Sequence, residues 1–74
     1  MNVYDLKAVF GSGDGDWFTA KLLRLIAAAD FTNKAKLAVS FPVEVRAVNI
    51  YRHDCPYKED GSVDWDKIVE LAQV

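Results

Sequence analysis

The chain has a single cysteine, Cys55, which excludes an internal disulfide and with it the stapled mini-protein of an oxidising compartment. Histidine is equally scarce, with His53 standing alone. Proline occurs only at Pro42 and Pro56, and three of the four glycines fall in one stretch, Gly11 to Trp17, so no Pro- or Gly-rich linker divides the chain. The longest apolar run, Leu25 to Ala29, is far too short to cross a bilayer, and Met1 to Phe10 lacks the basic cluster of a signal peptide. A soluble, cytoplasmic protein with no membrane partner is expected.

What is present is a high apolar content, 51% of 74 residues, which argues for one packed domain spanning 1–74 rather than disorder. A core built from so short a chain is small, so self-association is an open route to further burial. Net charge is −2 but unevenly distributed. From Lys21 to Arg52 six bases face two acids, and from Asp54 onward six acids face two lysines. Such a split marks a basic binding face or two halves that neutralise one another.

Apolar periodicity predicts an all-α fold, a bundle of four to five short helices. Asn2 is placed to cap a helix through Val3 to Phe10, with Val3, Leu6, Val9 and Phe10 on one side, Gly11 ending it and a strand as the alternative. Asp16 stands before WFTAKLLRLIAAA as a cap. In that run Phe18, Leu22, Leu25, Ile26 and Ala29 share a wide apolar arc, extended by Thr19 and Leu23. Thr32 is the expected cap of a shorter helix, NKAKLAVS, burying Leu37, Ala38 and Val39. Pro42 suits the first turn of a helix to Arg52 that buries Val43, Ala47, Ile50 and Tyr51, with Arg46, Asn49, Arg52 and His53 turned away. Partial alternation in VEVRAV leaves a strand as the alternative over 43–51. HDCPYKEDGS reads as a loop, and Asp64 as the cap of a last helix with Trp65, Ile68, Val69, Leu71 and Ala72 on one side.

The sequence offers little catalytic chemistry. GSGDGDW lacks the lysine and hydroxyl residue of a phosphate loop and the spacing of a dinucleotide fingerprint, while Asp14 and Asp16 would repel an anion. A calcium loop needs a closing glutamate, and the position eleven residues after Asp14 is Leu25. His53, Asp54 and Cys55 are adjacent, whereas a thiol and imidazole that work together normally meet across a fold, and a structural metal site needs about four ligands. No catalytic residue, metal or cofactor is therefore assigned.

Trp17 falls beside Lys21 and Arg24 on the narrow side of its helix. Exposed, the three would form a protein-binding anchor or a stacking platform for a base; buried, Trp17 would lie beneath the N-terminal segment. Between Lys34 and Tyr51, Ala38, Val43, Val48 and Tyr51 sit at helix-turn-helix spacing, with Glu44, Arg46 and Ala47 opening a recognition helix, but Pro42 stands in the turn where glycine is usual. Asp60, Asp64, Asp66 and Glu70 define a third candidate surface, an anionic face that would compete for a nucleic-acid-binding enzyme.

The segment Asp16 to Val48 resembles a family of small uncharacterised bacteriophage and prophage proteins with an FTxxLLRLIxxAD block followed by FPxEVxA. The matching positions are Phe18, Thr19, Leu22, Leu23, Arg24, Leu25, Ile26, Ala29, Asp30, Asn33, Leu37, Phe41, Pro42, Glu44, Val45 and Ala47, within a little under half of the chain. The resemblance implies a phage origin and supplies no activity. Together these readings predict a non-catalytic accessory module that binds a host or phage protein through Trp17, Lys21, Arg24, Arg46, Asn49 and Arg52. Helix-turn-helix binding of DNA is the alternative.

Overall fold

A computed structural model describes Met1 to Gln73, and these residues form five α-helices with no strand among them. Helix α1, Val3–Leu6, begins where the Asn2 side chain accepts from the Tyr4 N–H at 2.9 Å. Its continuation, Lys7–Gly11, widens into a π-helical turn in which the Ser12 N–H reaches the Lys7 carbonyl. That turn buries Ala8 and Val9 beside Leu6. It ends at Gly11 as the sequence suggests, and a Cβ there would stand 3.2 Å from the Trp65 indole. Close approach of an aromatic ring suits a glycine at this position.

Helix α2, Phe18–Ala28, buries Ala20, Leu22, Leu23 and Ile26. Each large side chain so buried contributes about 1.5–3 kcal/mol, which makes α2 the main contributor to the core. Two expectations fail here. Trp17, not Asp16, is the N-cap residue, with no side-chain bond to the helix, and Phe18 and Leu25 are exposed rather than part of the buried arc. The apolar arc of α2 is wider than its neighbours cover.

Helix α3, Phe31–Ser40, is capped by Asp30, whose carboxylate accepts from the Asn33 N–H at 2.8 Å. The Thr32 cap is thus corrected, because the helix starts earlier and leaves Thr32 inside its first turn. Leu37 and Ala38 are half-buried as expected, but Val39 is 84% exposed and α3 has no fully buried residue. Phe41 alone separates α3 from α4, Pro42–His53, which carries Pro42 in its first turn and buries Val45, Ala47 and Val48. Val43, Ile50 and Tyr51 are only half-buried, so the core stripe of α4 is rotated from the expected one toward Val45 and Val48.

The segment after α4 folds back as a tight turn, with an isolated antiparallel bridge between Tyr57 and Val63 and the Lys58 N–H bonded to the Ser62 carbonyl at 2.8 Å. Helix α5, Trp65–Ala72, is capped by Asp64, which accepts from the Lys67 N–H at 3.1 Å. Ile68 and Ala72 are buried, whereas Leu71 is 42% exposed. An aromatic ladder ties three elements together: Phe10 stacks on Tyr51 at 4.7 Å, and Tyr51 on Trp65 at 5.5 Å. The core thus lies among α1 with its π turn, α2, α4 and α5. Helix α3 lies at its edge, with α4 as its main neighbour.

Candidate functional site

The six residues expected to bind a partner fall into separate places. Trp17 is half-buried: its indole N–H donates to the Asp5 carboxylate at 2.7 Å and its ring stacks on Tyr4 at 5.8 Å. The aromatic side chain therefore fastens the start of α2 to α1. Arg24, one helical turn beyond Lys21, donates to the Asp14 carbonyl at 2.8 Å and so holds the glycine-rich loop. Gly15 has φ +109, and a Cβ there would stand 2.7 Å from the Ala20 Cβ, so the loop turns at the one residue that allows it to pass this close. Lys21 is exposed and makes no ion pair among the described residues.

Two arginines of α4 act on helix ends. Arg46 Nε donates to the Ala72 carbonyl at 2.7 Å, in the last turn of α5, and Arg52 Nη1 donates to the Ala27 carbonyl at the end of α2. A guanidinium placed there meets both an unpaired carbonyl and the negative end of the helix dipole. The basic character of the chain's middle is thus partly used within the fold. The recognition helix expected to start at Glu44 has Ala47 fully buried, and the single residue Phe41 replaces the three- to four-residue turn usual in helix-turn-helix units.

The acidic residues are similarly dispersed in role. Asp64 caps α5, Glu70 pairs with Lys67 at 3.6 Å, and Asp60 accepts from both the Ser62 hydroxyl and the Ser62 N–H. Those Ser62 bonds, the hydroxyl first, hold the Asp60 carboxyl below its ordinary value by favouring the charged form. Asp66 is exposed. His53 and Asp54 are exposed, Cys55 is half-buried, and no group of three or more potential metal ligands is brought together among the described residues. The Tyr57 hydroxyl is held above its ordinary value, chiefly by the neighbouring Cys55 thiol.

A surface that periodicity alone missed is the outer side of α3. Phe31 is 87% exposed and Val39 84%, and the exposed Ala35 lies between them. Positions i, i+4 and i+8 form one slanting stripe, because each step of four residues advances about 40° around the helix. Between α3 and α4 runs an open groove lined mainly by Phe31, Ala35, Ala38, Val45 and Ile50, with Lys34, Arg46, Asn49, His53 and Asp54 around it. Arg46 and Asn49 from the sequence prediction are therefore joined in one place, next to apolar residues that the prediction left out. The usable signal was the phenylalanine directly after the Asp30 cap: a residue in the first turn of a short peripheral helix has few neighbours to cover it.

Among the described residues no helix is long and apolar enough to cross a membrane. Comparison with known protein families, with curated proteins and with solved structures finds no match to this chain in any of the three.

Proposed function

We propose that this chain is a non-catalytic, phage-type accessory module that binds a host or phage protein in the cytoplasm, and that α3 with the adjoining groove is its contact surface. The carrying observation is that, among the described residues, the most exposed large apolar side chains, Phe31 and Val39, sit on the one helix without a buried residue. Contiguous exposed apolar surface rimmed by polar groups is a mark of an interaction site. An aromatic anchor such as Phe31 supplies most of its binding free energy when a partner pocket removes it from water. The phage setting rests on the FTxxLLRLIxxAD and FPxEVxA resemblance. Trp17 and Arg24 support this reading indirectly, by fixing α2 and its loop.

Affinity capture from a bacterial lysate tests the reading with three baits: the wild-type chain, Phe31→Ser/Val39→Ser, and Lys21→Ala/Arg24→Ala. A protein recovered by the wild-type chain and lost only from the α3 variant is the expected result. Loss only from the Lys21/Arg24 variant would move the contact surface to α2. A set of captured proteins identical for all three baits would overturn the reading. Binding to mixed duplex DNA that weakens steeply with salt would favour the DNA alternative instead.

A further inference from the structure

Resting on the protein-binding reading above, the chemistry of α3 also restricts what its partner is. Within Phe31–Ser40 the only charged residues are Lys34 and Lys36, in a chain whose net charge is −2. On the helical wheel the stripe Phe31, Ala35, Val39 covers about 80°, and each lysine lies about 60° outside one of its edges. The stripe is therefore flanked by a cation on both sides. Its length, eight residue rises, is about 12 Å, the span that two to three turns of a facing helix cover with anchors at i, i+3, i+4 and i+7.

We infer that α3 docks an acidic amphipathic helix of another protein, whose apolar stripe meets Phe31, Ala35 and Val39 while its flanking carboxylates meet Lys34 and Lys36. An α3-to-α3 pair of two copies fits poorly, because it sets lysines facing lysines, a like-charge contact that opposes pairing. The groove behind Phe31 keeps a net cationic border, since Lys34 and Arg46 flank its apolar lining against the single carboxylate of Asp54.

The test is selection from an unbiased display library of helical peptides roughly 16 residues long, about four turns, against the immobilised chain. The expected winners are amphipathic peptides of net negative charge, and their affinity should fall at least about tenfold, a 1.4 kcal/mol effect, for Phe31→Ser and for Lys34→Glu/Lys36→Glu. The charge-reversed variant should in turn prefer the same peptides with Glu exchanged for Lys. Circular dichroism checks that each variant stays helical, and Val39→Ser replaces Phe31→Ser if the latter does not. Winners that depend on Phe31 but are neutral or basic would overturn the acidic partner while leaving the protein-binding reading intact. No Phe31-dependent winner at all would overturn both. Binding of phosphatidylserine vesicles or duplex DNA that the charge-reversed variant abolishes, without peptide binding, would overturn the inference in favour of a lipid or nucleic-acid surface.

Discussion

Helices α2 and α3 are nearly equal in length, 11 and 10 residues, and each starts with a phenylalanine. Helix α2 buries four residues and α3 none. The difference follows from what surrounds them. Helix α2 is packed against α1, the π turn and α4, whereas α3 leans mainly on α4 at the edge of the core. Apolar side chains are thus covered or left exposed according to their neighbours: Leu23 of α2 is fully buried, whereas Val39 of α3 is exposed.

That contrast yields predictions in descending order of size. Leu23→Ala, at a fully buried site of α2, should lower unfolding free energy by about 2–5 kcal/mol in a denaturant titration, whereas Val39→Ala on α3 should change it by less than about 0.5 kcal/mol. Equal losses at the two sites would erase the distinction. Gly15→Ala forces a Cβ into a positive-φ position against Ala20 and should cost about 1–3 kcal/mol in the same titration. Arg46→Ala removes a charge-assisted bond to the end of α5 and should cost about 1 kcal/mol, with Arg46→Lys recovering part of it.

The smallest effect concerns pH. Asp60 has a carboxyl value lowered in the folded state, so its contribution is present above the unfolded value and is lost as pH falls through the lower folded one. Carbon-detected NMR titration should show Asp60 titrating below the ordinary aspartate value, and Ser62→Ala should move it back toward that value. An unchanged titration in Ser62→Ala would remove the Ser62 bonds as the cause.

Legibility in the sequence tracked the range of the interaction. Asn2, Pro42 and Asp64 were readable as helix starts because a cap or a first-turn proline acts over two or three residues. Asp16 misled because Trp17 is held by Asp5, twelve positions away, and the helix begins only after that attachment. The wheel also showed α2 as apolar over a wide arc without saying which part neighbours would cover, so Phe18 and Leu25 were placed inside. Arg46 and Arg52 were correctly read as turned from the core, but their bonds to Ala72 and Ala27 join distant segments and left no local pattern. The proposed contact surface on α3 is legible only in part: Arg46 and Asn49 lie on the polar side of their helix in the sequence, while the exposure of Phe31 and Val39 follows from the peripheral position of α3.

The central claim is that the outer face of α3, with Phe31, Ala35 and Val39, is spare from the core and is the proposed recognition surface. The most direct measurement pairs a denaturation midpoint with partner capture for Phe31→Ser/Val39→Ser. A midpoint within about 0.5 kcal/mol of wild type together with loss of the captured protein is the predicted result, because exposed positions contribute little to folding. A variant that unfolds readily, or one that keeps its full stability and every captured partner, would contradict it.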